Sequence, residues 1–182
     1  MSDGWQDDAV ALIPKLRAFA WSISRNAADA DDLVQETLIK AWSHRDTFEP
    51  GTNLRAWLFT ILRNTHHTSL ARRRREVLDE DDHHAHSLTS APRQEWNLTV
   101  RALQQALATL PHENREALML VTAAGLSYDE AASICGCAIG TIKSRVNRAR
   151  HRLLRILDGD DESSEGDPRR YPLDDNFRMT GG

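Results

Sequence analysis

Six apolar residues, Ile139, Ile142, Val146, Ala149, Leu153 and Ile156, recur at alternating spacings of three and four. Only a helix with one buried side gathers such residues, because side chains three and four apart stack over one another. The same stretch carries Lys143, Arg145, Arg148, Arg150, Arg152 and Arg155, with no acidic residue from Lys143 to Arg155. A merely solvated helix usually mixes charges of both signs, so this run points to a polyanion.

What precedes that helix narrows the reading. "SYDE", from Ser127, is a capping box: Ser127 can accept a backbone N–H while Glu130 reaches back. It starts a short helix, "YDEAASIC", which Gly136 breaks. A capped helix, a Gly-containing turn and a helix with a polar, basic outer face form the helix-turn-helix pattern. In it the second helix enters the major groove, where Lys, Arg, Ser and Asn reach base edges. Lys143, Ser144, Asn147, Arg148 and Arg150 point away from the apolar stripe.

The rest of the chain is also helical by its periodicity. Leu33, Val34, Thr37, Leu38, Ala41 and Trp42 form one face, and Leu54, Trp57, Leu58, Ile61 and Leu62 another. A loop containing Pro50 and Gly51 separates them. An earlier helix covers about Ala9 to Ser24 and stops near "SRNAADAD", where Asn and Asp offer capping side chains. Leu98, Ala102, Leu103, Ala106, Leu107 and Leu110 make a further helix that Pro111 ends; the next runs from His112 towards Gly125. The fold expected is all-α: two small helical domains, 9–75 and 95–157, joined by a flexible acidic linker, 76–94. Each is near the size at which a core becomes marginal. A stretched linker of that length reaches about 60 Å. A disordered acidic tail is expected over 158–182.

Net charge is −4, but its distribution is what matters to a polyanion. Arg72 to Arg75 and the last helix are basic blocks, while acidic residues collect in Asp79 to Asp82 and after Leu157. No run reaches the roughly 20 apolar residues of a membrane span, and the acidic first residues lack the pattern of a secretion signal. A cytoplasmic protein with no membrane partner is expected. Cys135 and Cys137 give two ligands where a zinc site takes four, so they read as small apolar residues at the turn. His83, His84 and His86 lie in the polar linker and read as a solvated run. No metal, cofactor or catalytic residue is expected. The aspartates around Asp29 to Asp32 show no nucleophile–base arrangement and read as solvated capping residues.

The stretch "DADDLVQETLIKAWSHRDTFEPGTNLRAWLFTILRN" resembles region 2 of bacterial sigma factors, and "LSYDEAASICGCAIGTIKSRVNRAR" resembles region 4. Two domains with only a linker between them are similar to the extracytoplasmic-function (ECF) group. "GTNLRAW" together with "CGCAIGTIKSRVNRAR" resembles the alphaproteobacterial general-stress-response (EcfG-type) subgroup. The resemblance covers about Val10 to Leu157. The family usually has Pro where this chain has Ala138, a change that a good helix former should absorb.

The resemblance implies a role for each region. Asp32, Gln35 and Glu36 would dock on a coiled coil of the largest subunit of core RNA polymerase. Phe48, Asn53, Thr60, Arg63 and Asn64 would open and hold the −10 element of promoter DNA, with Arg72 and Arg73 on its phosphates. Extracting a base costs a few kcal/mol, which aromatic stacking and polar contacts offset. Trp57, by spacing, belongs to the core. Thr141, Lys143, Ser144, Arg145, Asn147 and Arg148 would read the −35 element. A GGAAC-like −35 and a GTT-like −10 sequence are implied. So is a small helical anti-sigma factor of the NepR type, displaced by a phosphorylated PhyR-type response regulator. The acidic linker would thread polymerase channels meant for nucleic acid.

Two other readings compete. A sigma mimic that only titrates the anti-sigma factor would not need the basic DNA-facing residues, and no receiver domain follows Leu157. A conventional helix-turn-helix repressor leaves the docking face and the −10 helix without a purpose.

Overall fold

The computed structural model describes residues 4–49, 51–79 and 96–157. They form seven α-helices and no strand: α1 (Gly4–Ser24), α2 (Ala27–Ser43), α3 (Leu54–Asp79), α4 (Trp96–Thr109), α5 (His112–Thr122), α6 (Tyr128–Cys135) and α7 (Ile139–Leu157). A 3-10 turn, Arg45–Thr47, follows α2.

Local chemistry sets the breaks. Arg25 takes a left-handed φ of 62° after α1. Asn26 then caps α2, its Oδ1 accepting from Ala28 N at 2.8 Å and Asp29 N at 3.3 Å. Asn53 does the same for α3, accepting from Ala56 N at 3.2 Å. The capping box is formed as the sequence suggests: Ser127 Oγ accepts from Glu130 N, and Glu130 Oε2 accepts from Ser127 N. Gly136 ends α6 with a φ of 64°, a conformation that costs any residue with a Cβ.

Helices α1–α3 form the first unit around Leu16, Phe19, Leu33, Leu58, Phe59 and Leu62. Phe19 meets Phe59 edge-on, ring centroids 5.3 Å apart. Helices α4–α7 form the second around Leu107, Leu120, Ile134, Ile142 and Val146. The two units pack on each other, α1 against α5 and α3 against α6, so their cores are continuous.

Three expectations change. First, α1 begins at Gly4 rather than near Ala9, and α3 runs through Arg72–Arg75 to Asp79, into the expected linker. Arg, Glu and Leu are good helix formers and no Gly or Pro intervenes. The remainder of that linker, with His83, His84 and His86, and the tail 158–182 lie outside the described residues. Second, Trp42 is 52% exposed rather than in the buried face of α2. Its ring leans on Trp5, centroids 5.8 Å apart, beneath the Arg45 guanidinium at 5.7 Å. Third, the stripe of α7 is buried only in its middle, at Ile142, Val146 and Ala149; Ile139 and Ile156 lie exposed at its ends.

Candidate functional site

The expected −35 residues sit on α7, and the buried stripe divides them. Lys143 and Arg148 are exposed, with Arg150 beside them. Thr141 and Ser144 are half-buried, the Ser144 hydroxyl donating to Thr141 O at 2.9 Å. Arg145 turns towards its own unit: Nη2 lies 3.6 Å from Glu113 Oε2, and Nη1 lies 3.9 Å from Cys137 Sγ. Asn147 is half-buried, and its Oδ1 is buried without a partner. Lys143 and Arg148 are therefore the side chains most open to a phosphate or base edge, and Arg145 steadies the turn.

The expected −10 residues gather at the N-terminal half of α3 and in the loop before it, and several are engaged by the second unit. Phe48 packs on Trp57, ring centroids 5.2 Å apart, and Trp57 itself packs against the core. Asn53 Nδ2 donates to Glu130 Oε1, so the residue that caps α3 also holds the capping box of α6. Arg55 Nη1 donates to Gly125 O at 3.0 Å. Thr60 is half-buried, its hydroxyl donating to Ala56 O. Arg63 Nε donates to Glu116 Oε1 at 2.9 Å. Asn64 is exposed, as are Arg72 and Arg73; Arg73 Nη2 lies 3.3 Å from Asp29 Oδ1.

On α2, Asp32, Gln35 and Glu36 are all exposed, Glu36 pairing with Lys40 at 2.7 Å. Ile39, 66% exposed, continues the same face towards Trp42. Asp32 and Glu36 also border a cleft of about 340 Å³ between the units, walled by Arg25, Asp29, His66, Arg73, His112 and Arg115.

Sequence reasoning missed the residues that clasp the units. Glu116 is 2% exposed and Arg115 is 4% exposed, in the middle of an apolar helix. Two adjacent charges inside "ENREALMLV" were the available signal, since buried charge demands a partner. Arg115 Nη1 donates to Leu110 O at 3.0 Å and Leu107 O at 3.3 Å, closing the end of α4; burial and the nearby Arg25 lower its pKa. Around Glu116 stand His66, His67 and His112, ring centroids 6.0 to 6.2 Å apart. Burial, with the neighbouring His112 and His67, pushes His66 down to about 4. His112 is lowered too, chiefly by burial. Cys135, beside Glu116, is raised to about 12 by burial and by that carboxylate, which leaves it a thiol. Burial raises Glu130, but hydrogen bonds from Ser127 and Asn53 outweigh it and leave its pKa lowered. Among the described residues no group of three or more His, Cys, Asp or Glu is arranged to hold a metal ion.

Two family models match the chain: Sigma-70 region 2 over residues 10–76, and Sigma-70, region 4 over residues 100–153. The chain is 51% identical over 178 residues to the ECF RNA polymerase sigma factor EcfG of Rhodopseudomonas palustris (strain TIE-1), covering 97% of this chain and 98% of that one. It is 36% identical over 146 residues to the ECF RNA polymerase sigma factor SigC of Mycobacterium tuberculosis, covering 75% and 74%. Among solved structures it is similar to the sigma factor RpoE in complex with the anti-sigma factor NepR from Bartonella quintana: TM-score 0.77, 48% identity, 86% of this chain and 98% of that one. It is also similar to CnrH in complex with the cytosolic domain of CnrY, with TM-score 0.59, 27% identity and coverage of 87% and 88%.

Proposed function

The chain belongs to the ECF group of RNA polymerase sigma factors, and from that premise we propose how its residues divide the work of transcription initiation. It is a promoter-specificity factor, not an enzyme. Asp32, Gln35 and Glu36, exposed on α2, dock on core RNA polymerase, and the exposed Ile39 extends that face with apolar contact. Lys143 and Arg148 on α7 lead −35 recognition, with Ser144 and Thr141 on the same approach. Asn53, Thr60, Arg63 and Asn64 act on the −10 element, Phe48 leaves Trp57 to stack on an extruded base, and Arg72 and Arg73 hold phosphates.

One observation carries this reading: α6, the Gly136 turn and α7 form a capped helix-turn-helix whose exposed cations lie opposite the buried stripe. A basic face built on a rigid helix pair has the shape of a major groove reader. The likeness to RpoE bound to NepR supports control by a small anti-sigma factor of that type. A PhyR-type regulator that relieves it in a general stress response is what the resemblance of the motifs to the EcfG-type subgroup implies. No described helix is long and apolar enough to cross a membrane, which accords with action in the cytoplasm.

The arrangement described is a closed one. Asn53 and Arg63 cannot meet DNA while they hold Glu130 and Glu116, so region 4 must leave region 2 before α3 meets the −10 element. Run-off transcription with core polymerase and a template carrying GGAAC and GTT elements tests the proposal. Promoter-dependent product with the unaltered chain is expected, together with its loss in Lys143→Ala/Arg148→Ala and in Asn64→Ala. Equal product from all three proteins would contradict the assignment of these residues.

A further inference from the structure

Four polar side chains with no part in promoter recognition meet where the units close: His66 and His67 on α3, and His112 and Glu116 on α5. Glu116 is the anchor. Its buried carboxylate accepts from Arg63 Nε across the boundary and lies 3.7 Å from His67 Nε2. His66 and His112, one from each unit, face each other as parallel rings, 6.1 Å between centroids and 6° between planes. His66 Nδ1 and His112 Nε2 are buried without a hydrogen-bond partner. Both residues line the cleft between the units.

We propose that His66 and His112 form a proton-sensitive latch: neutral, they let region 4 close on region 2, and protonated, they part the two and free the −10 surface.

The surroundings set the sign. From α3, Arg73 stands near this pair along with His67; from α5, Arg115, Glu113 and Glu116, the last held by Arg63 of α3 and touched by Cys135 of α6; from the α1–α2 turn, Arg25; from α2, Asp29, Asp32 and Glu36 across the cleft. The carboxylates favour protonation, Glu116 most directly, but burial and the neighbouring imidazoles prevail, and His66 is held at about 4. When the units part, the imidazoles meet water and return towards about 6.5. The closed form thus binds fewer protons than the open one between these values. Its advantage is full above about pH 6.5 and is lost as pH falls towards 4. From about pH 7.5 to about pH 5.5, His66 alone shifts the balance roughly tenfold towards opening. His67 is exposed and lies 3.7 Å from Glu116 rather than in the stacked pair, so it is no part of the latch.

The consequence for transcription rests on the reading of α3 as the −10 surface; the latch itself does not. The test therefore needs no DNA. Small-angle scattering of the full chain should show its radius of gyration rising from about pH 7.5 to about pH 5.5, with far-ultraviolet circular dichroism unchanged. In His66→Gln/His112→Gln the rise should vanish. If that variant is already extended at both pH values, the histidines are needed for closure, and imidazole proton resonances of the unaltered chain decide. Titration of His66 and His112 in step with the expansion supports the latch. No expansion down to about pH 5, the same expansion in the double variant, or His66 titrating without expansion would overturn it.

Discussion

Arg63 on α3 and Glu116 on α5 form an ion pair across the boundary between the units, Nε to Oε1 at 2.9 Å, with the carboxylate 2% exposed. The guanidinium assigned to promoter DNA thus spends its charge on region 4 in the closed form. Replacing Arg63 with Ala leaves a buried carboxylate without its main partner, a loss of about 3 kcal/mol where the site cannot relax. Here the units can part and wet it. The expected outcome is faster amide exchange in α5 and the facing turns of α3, with the first unit's core still protected. Unchanged exchange would mean the pair contributes nothing to closure.

Lys143 and Arg145 are two residues apart on α7 yet face different surroundings, one open and one held near Glu113 and Cys137. Lys143→Ala should leave thermal stability within a degree or two. It should also lower holoenzyme affinity for the promoter and reduce the salt slope by about one counterion. Arg145→Ala should instead lower the melting temperature. Melting curves and salt-dependent filter binding separate the two.

Ser127 supplies half of the capping box that starts α6, and Glu130 supplies the other half while also accepting from Asn53. Ser127→Ala should cost about 1 kcal/mol in chemical denaturation. Because the Glu130 pKa is lowered in the fold, its contribution is present above the ordinary carboxylate value and fades as pH falls through that value and below. The Ser127→Ala penalty should therefore shrink in acid; a constant penalty would place the cap's strength elsewhere.

Gly136 holds a φ of 64° between the two helices of the DNA-reading motif, and a Cβ there would touch nothing within 4 Å. The cost of Gly136→Ala is thus backbone strain alone, about 1 kcal/mol. Denaturation of the full chain measures it directly; a neutral result would mean the turn relaxes into another conformation.

The sequence carried the helices where period and punctuation agreed. Asn26, Ser127, Gly136 and the middle of the α7 stripe (Ile142, Val146 and Ala149) each mark a boundary or a buried face by local chemistry, and the structure has them in those roles. The start of α1 and the exposure of Trp42 were not legible, because tertiary packing decides them; the extension of α3 rests on good helix formers that a reading by apolar period passed over. The relation between the units was hidden for the same reason. Glu116, His66 and His112 acquire their meaning from partners 46 to 53 positions away, and a reading by local pattern assigned them no role. The expected site residues lie on α2, on α3 with the loop before it, and on α7, but only packing separates the open Lys143 and Arg148 from the engaged Arg63 and Arg145.

Permanganate footprinting of a promoter bound by core polymerase and this chain reads single-stranded thymines at the −10 element, and so reports directly whether the chain opens the duplex. Reactive thymines are expected with the unaltered protein and their loss in Asn64→Ala, while protection of the −35 element persists. A duplex that stays unreactive although the protein binds core polymerase would contradict promoter opening by this chain, and would leave capture of an anti-sigma factor as the better description of the chain.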